Sequence, residues 1–327
     1  MKAIVVHEDK EGYPLQWQEV DAPAYGADEI LVDIHATALN RADLSQRRGN
    51  YPPPSGASNI MGLEMAGTIT AVGADVTGWQ VGDRVCALLS GGGYAEQINV
   101  PAAMLMPIPN GWSFEQAAAL PEVFFTAYLN LFMEGQLKSG ETVLIHGGAS
   151  GVGTAGIQLA HQTGCTVIIT AGNDDKTAAC RELGADLAIN YKQEDFVERI
   201  RAYTKGQGVD LILDMVGADY FERNIDLLKP YGRLVFISTL SGTKTELDIR
   251  KLMGKRLRLI GSVLRARPLE EKIAIKAQFM DQFWSSLVDG SVKTIIDSVY
   301  PIEKTEEAQQ HMLENKNIGK IILTVRN

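Results

Sequence analysis

The residues of this sequence whose spacing most clearly indicates chemistry form a glycine-rich loop, Gly147-Gly148-Ala149-Ser150-Gly151-Val152-Gly153. The loop follows a β-branched apolar run, Thr142–His146, that predicts a strand, and it opens a predicted helix, Gly153–Thr163. Such a turn presents backbone N–H groups at a helix N-terminus, where a pyrophosphate can approach the main chain. The alternative is a glycine turn that only joins a strand to a helix, but the flanking strand and helix are typical of dinucleotide binding. We therefore expect the cofactor phosphates to be bound by Gly148, Ala149, Ser150, Gly151, Val152 and Gly153.

The end of the second predicted strand, Thr166–Ala171, indicates which dinucleotide the loop binds. An NAD site usually has Asp or Glu about 20 residues beyond the glycine motif, where the carboxylate binds the ribose 2′-OH. This strand is followed instead by Gly172 and Asn173, and the small residue leaves room for a 2′-phosphate. Lys176 and Tyr191 add a cation and a phenol near that corner, which suits NADPH.

Two carboxylates, Asp174 and Asp175, are the argument for NADH. They lie beyond the strand end, and the alternative interpretation makes them caps of the helix that carries Lys176. The pattern as a whole favours NADPH over NADH as the cofactor.

The elements that must position these residues alternate between strands and helices beyond Pro121, which predicts parallel βαβ units. Six runs predict the strands of a doubly wound sheet: Thr142–His146, Thr166–Ala171, Leu187–Asn190, Val209–Met215, Arg233–Ser238 and Arg258–Leu264. The intervening helices are predicted over Gly153–Thr163, Lys176–Leu183, Asp195–Thr204 and Tyr220–Leu228. The fold class is therefore α/β, with a six-stranded parallel sheet that binds the cofactor.

The chain before Pro121 contains short β-like runs broken by turn residues, which predicts a small barrel or sandwich. These runs are Ala3–Val6, Glu29–Ile34, Gly67–Val72, Asp83–Ala87 and Ala95–Val100. The tail beyond Pro268 predicts, in order, a helix to Val288, a strand at Thr294–Val299, a helix at Glu303–Glu314 and a strand at Lys320–Val325. The tail is too short to be a domain, so we expect residues 266–327 to complete the first domain, residues 1–121, around a cofactor domain of residues 122–265.

Composition restricts the partners of the protein. The 327 residues carry 31 basic and 40 acidic side chains, and the net charge of −9 disfavours non-specific binding to nucleic acid or to an anionic membrane. The N-terminus has no apolar run long enough for a secretory signal. The most apolar long stretch, Ala117–Met133, is interrupted by Pro121, Glu122 and Asn130, so it falls short of a membrane span. We expect a cytoplasmic protein.

Six further motifs are distributed along the chain: Asn40-Arg41-Ala42-Asp43, Gly49-x-Tyr51-Pro52-Pro53-Pro54, Gly62-Leu63-Glu64-x-x-Gly67, Val81-Gly82-Asp83-Arg84-Val85, Gly93-Tyr94-Ala95-Glu96 and Ala117–Leu120. With the glycine loop they resemble the medium-chain dehydrogenase/reductase superfamily, in particular its zinc-free quinone oxidoreductase (zeta-crystallin-like) branch. The prolines after Tyr51 and the Asn315-Lys-Asn-Ile-Gly-Lys tail resemble the stress-inducible quinone oxidoreductases of that branch. The resemblance implies a Rossmann cofactor domain and a GroES-like β-rich catalytic domain.

The residues argue against a catalytic zinc. Zinc-dependent relatives have a Cys where this chain has Asn40, and a His where it has Leu63. The four-cysteine cluster of those relatives is also missing, because the three cysteines, Cys86, Cys165 and Cys180, include no CxxC pair. A catalytic zinc needs about three protein ligands and an open position, so no metal is expected.

The resemblance places Asn40, Asp43 and Tyr51 in a cleft between the domains, beside the nicotinamide and the substrate, and Thr126 against the nicotinamide. Alternatively Asn40 and Asp43 form a turn or helix cap, Tyr51 only packs, and Thr126 is a buried helix hydroxyl. Arg265 could meet the cofactor or the substrate, or lie on the surface. Further cofactor contacts are implied for Gly172, Lys176, Tyr191, Val216, Leu240, Leu264 and Asn317.

The activity that the resemblance implies is NADPH-dependent reduction of a planar conjugated carbonyl, a quinone first and an enone or 2-alkenal second. No catalytic triad or carboxylate pair is visible, so catalysis is expected to depend on orientation and desolvation. Transfer of one electron and transfer of a hydride both remain open. The other class of function is a protein that binds NADPH with little turnover.

The last predicted strand of the cofactor sheet, Arg258–Leu264, indicates how the protein assembles. It is apolar and is expected at the edge of the sheet, where a bare strand invites pairing with another chain. Pairing with its own copy across a two-fold axis would give a homodimer, and the resemblance implies dimers and sometimes tetramers. The alternative is an edge that is covered by a loop of the same chain.

Overall fold

The computed structural model describes residues 1–7 and 12–326, in which the chain divides into two units. One unit combines Met1–Val123 with Leu264–Asn327 and is called the split unit. The other is Phe124–Val263 and is called the central unit. The chain passes from the first unit to the second inside one helix, and each unit has its own sheet.

The first part of the split unit is mainly β-structure. Its strands are β1 (Lys2–Val6), β2 (Leu15–Glu19), β3 (Glu29–Ala38), β4 (Glu64–Val72), β5 (Arg84–Leu88), β6 (Gln97–Pro101) and β7 (Met106–Pro107). Its helices are α1 (Arg41–Arg47), α2 (Phe114–Ala118) and the start of α3 (Pro121–Tyr128), with a 3₁₀ turn at Ala102–Met104. Buried and half-buried residues alternate along β3 from Glu29 to His35, as the two-residue period of a strand with one face on a core requires.

The central unit contains a parallel sheet with helices between its strands. The strands are β8 (Thr142–His146), β9 (Thr166–Ala171), β10 (Leu187–Asn190), β11 (Val209–Asp214), β12 (Leu228–Phe236) and β13 (Arg258–Gly261). The helices are α4 (Gly151–Gln162), α5 (Asp174–Glu182), α6 (Phe196–Tyr203), α7 (Phe221–Leu227) and α8 (Ile249–Lys255), with a 3₁₀ turn at Ala218–Tyr220 and a π-helical segment at Leu129–Glu134.

The chain then returns to the split unit. This return consists of α9 (Leu269–Val288), β14 (Ile296–Pro301), a 3₁₀ turn at Ile302–Lys304, α10 (Thr305–Leu313) and β15 (Lys320–Thr324). β15 pairs antiparallel with β3 and parallel with β14, so the last strand lies inside the sheet that the first strands build. The order in this sheet is β14-β15-β3-β4-β5-β7, with β6 on β3, while β1 and β2 form a separate pair.

The sheet of the central unit has the order β10-β9-β8-β11-β12-β13, and its pairings are parallel. This order reverses direction after β8, which is the arrangement of a doubly wound dinucleotide-binding sheet. Leu144, Ile168, Ile212 and Leu234 come from four adjacent strands and are 0% exposed, so the sheet forms a continuous core. The predicted fold class is confirmed: a six-stranded parallel sheet accompanied by a β-rich unit.

The end of the central unit differs from the sequence prediction in two ways. The strand predicted over Arg258–Leu264 ends at Gly261, although it is the edge strand as expected. The helix α8 was not predicted, and Asp248 caps it by accepting a hydrogen bond from Arg250 N at 2.8 Å. Because α8 has no buried residue, it lacks the apolar face that identifies a helix in a sequence.

Within the described ranges 1–7 and 12–326, no helix is both long and apolar enough to cross a membrane. The thiols of Cys86, Cys165 and Cys180 are buried and free.

Candidate active site

The glycine loop joins β8 to α4 at the carboxyl edge of the parallel sheet. Gly147 has a φ of 66°, which starts the turn in the left-handed region. Ser150 caps α4, because its Oγ accepts a hydrogen bond from Gly153 N at 3.0 Å. The turn has no room for larger residues: a Cβ on Gly153 would lie 2.4 Å from Gly147 O and 2.5 Å from Gly148 O. These are the properties of a cradle that brings backbone close to a phosphate, so the loop fits a dinucleotide.

Gly148 lies directly on the neighbouring strand. A Cβ at this position would lie 2.6 Å from the Cβ of Ile169 in β9, and Gly148 N donates to Thr170 O at 2.9 Å. An alanine at this place would therefore require a shift of β9 or of the loop.

The end of β9 brings Gly172 close to two side chains from the end of β10. A Cβ on Gly172 would lie 3.1 Å from Tyr191 Oη and 3.7 Å from Lys192 Cε, so a phenol and a cation lie beside this glycine. Asn173 is the N-cap of α5 and accepts from Lys176 N at 2.9 Å. The suggestion that Asp174 and Asp175 cap this helix is thus wrong: both lie in its first turn.

The carboxylate of Asp174 already has a hydrogen-bond partner within the protein. Its Oδ1 accepts a hydrogen bond from Asn190 Nδ2 at 2.8 Å, which ties the first turn of α5 to the end of β10. Carboxylates in a first helical turn are also stabilised by the helix dipole. Asp174 therefore has a structural role that does not require a ribose.

The loops after β11 and β12 join at the same edge of the sheet. Val216 N donates to Asp214 Oδ1 at 2.6 Å, and Val216 O accepts from Ser241 N at 2.8 Å. Leu240 N donates to Met215 O at 3.3 Å, and the Leu240 side chain is 54% exposed. Since ligands of open parallel sheets bind outside the carboxyl ends of the strands, Val216 and Leu240 lie on the expected edge with the glycine loop.

His146, at the end of β8, is a packed side chain. It is 0% exposed and hydrogen bonds to Thr170 Oγ1 at 3.0 Å and Asn224 Oδ1 at 2.8 Å. Burial lowers the pKa of His146 to about 4, so the ring is neutral at physiological pH.

In the split unit, Asn40 and Asp43 lie together at the start of α1. Asn40 is the N-cap residue, and its backbone N donates to Asp43 Oδ2 at 2.7 Å. The same oxygen accepts from Tyr94 Oη at 2.8 Å, whereas the buried Oδ1 has no hydrogen-bond partner among the described residues. Burial raises the pKa of Asp43 to about 6. The helix-cap interpretation of these two residues thus describes their local role, and contact with a substrate stays a prediction.

A buried ion pair adjoins this cap. Lys320 Nζ lies 2.7 Å from Glu64 Oε1, and these side chains are 3% and 0% exposed. The ammonium also donates to Asn40 Oδ1 at 2.7 Å and to Leu39 O at 2.6 Å. The Lys320 ammonium thus binds the side-chain oxygen of Asn40 and the oxygen atoms next to it. Among residues 1–7 and 12–326 there is no group of three or more His, Cys, Asp or Glu side chains that could hold a metal ion.

Glu122 extends the cluster from the first turn of α3. Its backbone N donates to Glu64 Oε2 at 2.8 Å, so both carboxylate oxygens of Glu64 have partners. Oε2 of Glu122 is shielded from solvent and has no hydrogen-bond partner within the described part of the chain. Burial and the neighbouring Glu64 raise the pKa of Glu122 to about 8.

Tyr51 is half-buried and lies against Arg265. The guanidinium carbon of Arg265 is 5.2 Å from the centre of the Tyr51 ring, and Arg265 Nη1 donates to Tyr51 O at 3.2 Å. Further bonds run to Ser90 O at 2.8 Å and to Gln46 Oε1 at 2.8 Å. The surface interpretation of Arg265 is wrong, because only 3% of the residue is exposed. Burial raises the pKa of the Tyr51 phenol, and so does the carboxyl of Glu122.

Three further residues were predicted to contact the cofactor: Thr126, Leu264 and Asn317. Thr126 is half-buried in α3, and its carbonyl accepts from Asn130 Nδ2 at 2.7 Å. Leu264 is 6% exposed, and Asn317 Nδ2 donates to Gly319 O at 2.8 Å. Contact of Thr126 with the nicotinamide, and of Leu264 and Asn317 with the cofactor, stays a prediction.

Sequence reasoning gave no site role to Glu64, Glu122, Lys192 and Lys320. Glu122 had a visible signal, because it is the one carboxylate inside the most apolar stretch of the sequence, Ala117–Met133. A charge in such a stretch is buried only at a considerable free-energy cost, which identifies it as a functional candidate. Glu64 and Lys320 had no such signal, because their contact joins distant parts of the chain.

Comparison with known families assigns both parts of the chain. Residues 26–110 match the alcohol dehydrogenase GroES-like domain, and residues 151–279 match the family described as zinc-binding dehydrogenase. Quinone oxidoreductase of Rattus norvegicus is 31% identical, and the match covers 99% of this chain and 97% of that protein. The chain belongs to the medium-chain dehydrogenase/reductase superfamily. The family indicated by the sequence motifs is thus confirmed, and the protein is an oxidoreductase of this superfamily.

Other members of the superfamily show how widely its functions vary at this distance. Synaptic vesicle membrane protein VAT-1 homolog of Homo sapiens is 31% identical over 94% of this chain and 82% of its own length. The crystal structure of Escherichia coli quinone oxidoreductase complexed with NADPH has a TM-score of 0.89 and 30% identity, covering 99% of this chain and 100% of that one. An NAD-dependent alcohol dehydrogenase has a TM-score of 0.86 at 30% identity, with the same coverage.

Proposed function

We propose that this medium-chain dehydrogenase/reductase uses NADPH to reduce a quinone without the help of zinc. The observation that carries the cofactor choice is the corner at Gly172, where Tyr191 and Lys192 lie against a residue without a side chain. The 2′-phosphate of NADPH needs space and positive charge, and a carboxylate in place of Gly172 would repel it. The relatives named quinone oxidoreductases support the substrate class.

The residues that would hold the cofactor belong to the glycine loop and to the carboxyl ends of β9, β11 and β12. Bound NADPH supplies reducing equivalents from C4 of its nicotinamide ring. The chain contributes orientation, because the loop packs so closely around Gly153 that no Cβ fits there, and it supplies cations for the phosphates. In the split unit, Tyr51 offers a flat ring fixed by Arg265, which suits a planar conjugated acceptor.

Consumption of NADPH with three acceptors tests the substrate class. An ortho-quinone, a para-quinone and a 2-alkenal are offered to the purified protein, and the loss of NADPH absorbance is followed. We expect turnover of at least one quinone and slower turnover of the alkenal. Turnover of the alkenal alone would identify an enone reductase, and turnover of none would identify an NADPH-binding protein; either result contradicts the proposal.

Zinc independence rests on the residues around Asn40. Neither Asn40 nor the neighbouring Leu63 offers the thiolate or imidazole that a catalytic zinc prefers, and the Lys320 ammonium binds Glu64. The residues present therefore do not fit the metal named in the family description. Metal analysis of protein purified without chelator should find no stoichiometric zinc, and chelator treatment should leave the activity unchanged. One tightly bound zinc per chain would refute this part of the proposal.

A further inference from the structure

The carboxyl group of Glu122 is unusual because its Oε2 atom is buried and has no hydrogen-bond partner among the described residues. Oε2 has neither solvent nor a hydrogen-bond donor within the described residues, although the backbone N–H of the same residue is bound to Glu64. Buried polar atoms are nearly always paired, so an unpaired one needs an explanation such as a ligand or a catalytic role. The Glu122 residue as a whole is half-buried, so the group is not sealed inside the core.

Several charged and titratable groups of the split unit interact electrostatically with this carboxyl. They are Asp43 of α1, Tyr51, Glu64 of β4, Lys320 of β15, Arg265 before α9, and Lys272 of α9. Lys320 is already paired with Glu64, so its charge is largely compensated. A second carboxylate beside the Glu64 oxygens would be repelled, and burial disfavours it further. The pKa of Glu122 is accordingly raised to about 8, and the acid form predominates at neutral pH.

We propose that Glu122 is the acid that protonates the carbonyl oxygen of the substrate during its reduction. This inference rests on the proposed function and names a catalytic residue that the sequence motifs did not indicate. The backbone N of Glu122 is fixed by its hydrogen bond to Glu64, the carboxyl acts on the pKa of the Tyr51 phenol, and its Oε2 has no hydrogen-bond partner among the described residues.

The proton balance of this step is simple. Two-electron reduction of a quinone or enone leaves negative charge on the substrate oxygen. The O–H bond of Glu122 breaks, a new O–H bond forms on that oxygen, and Glu122 is left as a carboxylate. Water returns the proton before the next turnover. The phenol formed by protonation of a phenolate has a pKa of about 10, so proton transfer to the phenolate from an acid of pKa about 8 is favourable.

Arg265 helps to hold the carboxylate that remains after proton transfer. It is fixed by hydrogen bonds to Ser90, Tyr51 and Gln46, and its charge lowers the pKa of Glu122 against the effect of burial. Lys272 is 8% exposed and donates to Ser90 Oγ at 2.7 Å, which places a second cation in the same region. Burial lowers the pKa of both cations, and the carboxyl of Glu122 opposes this shift.

Infrared spectroscopy of the whole protein tests the protonation state without any turnover. We expect the C=O stretch of a neutral carboxylic acid at pH 7, and we expect it to disappear as the pH rises through about 8. The band should be missing from Glu122→Gln and present in Glu303→Gln, a control on an exposed carboxylate. A spectrum without this band at pH 7 would overturn the proposal.

The pH dependence of reduction tests the catalytic role. The unmodified protein should show kcat/KM that is constant below about pH 8 and decreases above it, because the acid form is required. Glu122→Gln should lower kcat on the order of 100-fold at pH 7 and lose the alkaline decrease. Glu122→Asp should keep a decrease at a shifted pH, and Glu303→Gln should match the unmodified protein.

The outcomes separate this proposal from the proposed function. A folded Glu122→Gln protein with unchanged rate and pH profile would overturn the role of Glu122 while quinone reduction stands. If Glu122→Gln fails to fold, Glu122→Asp carries the test, and an unshifted pH profile in that variant would overturn the proposal. Absence of acceptor reduction by the unmodified protein would remove the proposed function, and the acid role with it.

Discussion

Lys176, in the first turn of α5, is the residue on which the choice between NADPH and NADH can be tested most directly. Titration should show at least tenfold tighter binding of NADPH than of NADH, and Lys176→Ala should remove much of this difference. The reason is the loss of a charge-assisted contact to the 2′-phosphate, worth roughly 1.5–3 kcal/mol. Lys138→Ala, which removes an exposed cation near the amino end of β8, is the matched control. Equal affinities of the unmodified protein for both dinucleotides would contradict the cofactor assignment.

Burial of Asp43 should make the protein less stable as the pH rises, the reverse of the effect of a carboxylate in an ion pair. Its pKa is raised from 3.8 to about 6 in the folded protein, so the folded state holds this proton more tightly than the unfolded chain does. The contribution of Asp43 to the free energy of unfolding should therefore decrease as the pH rises from about 4 to 6, by up to about 3 kcal/mol, and then stay constant.

Urea unfolding of Asp43→Asn between pH 4 and 7 isolates this contribution, because the other groups titrate alike in both proteins. The difference in unfolding free energy between the variant and the unmodified protein should change over that interval. Asp281→Asn, at an exposed position of α9, should give curves parallel to those of the unmodified protein. Parallel curves for Asp43→Asn as well would show that Asp43 does not carry the effect.

The sequence indicated a site role for some single residues and not for others. The cofactor roles of Gly172 and Lys176 were inferred from their place after one strand, which is local information, and they stay predictions. The contact of Glu64 with Lys320 could not be inferred, since it depends on the pairing of strands that are far apart in the chain. Glu122 is intermediate: its apolar surroundings were visible in the sequence, but its missing hydrogen-bond partner required the structure.

At the scale of elements, the turn between β8 and α4 depends on close backbone contacts. A Cβ on Gly153 would lie 2.4 Å from Gly147 O, and backbone cannot move aside without opening the turn. Gly153→Ala should therefore weaken NADPH binding at least tenfold, although alanine favours a helix by up to about 1 kcal/mol.

Gly156→Ala, one turn further along α4, is the matched control for this prediction. Its Cβ would meet Ile145 Cδ1 at 3.1 Å, and a methyl group at the end of a side chain can adjust. Both variants gain the same helix propensity, so the difference in NADPH affinity measured by fluorescence titration reports the contact with the loop. Equal affinities of the two variants would show that the turn has more freedom than its geometry indicates.

The bounds of the elements were predicted best for strands that are buried on both faces. The predicted Thr142–His146, Thr166–Ala171 and Leu187–Asn190 coincide with β8, β9 and β10, because continuous apolar runs bounded by turn residues identify such strands. α8 escaped prediction for the opposite reason. Two of its apolar residues, Ile249 and Met253, are 62% and 71% exposed, so no buried face sets its period.

At the scale of the whole molecule, the free edge of the central sheet predicts a dimer. β13 pairs with β12 on one side, and no strand of the described chain pairs with its other side. We expect two copies to pair through this strand, since its backbone groups then find partners. Light scattering at micromolar concentration should show a dimer, and a monodisperse monomer would refute this expectation.

Ile260→Pro in the middle of β13 tests where the contact lies. Proline removes a backbone donor from the strand, so the variant should dissociate at higher concentrations than the unmodified protein. Ile260→Val keeps the N–H group and is the control for a change of side chain alone. A dimer of unchanged stability in Ile260→Pro would place the interface elsewhere.

The position of β15 inside the first sheet has a consequence for synthesis on the ribosome. Lys320 follows its partner Leu39 by 281 positions, and the central unit lies between them in the chain. Translation therefore delivers all of the central unit before the split unit can close, and domains generally fold as units while they emerge. Until β15 leaves the exit tunnel, the end of β3 lacks this strand and Glu64 lacks the Lys320 ammonium, so the nascent N-terminal segment stays incomplete until after the whole central unit has been made.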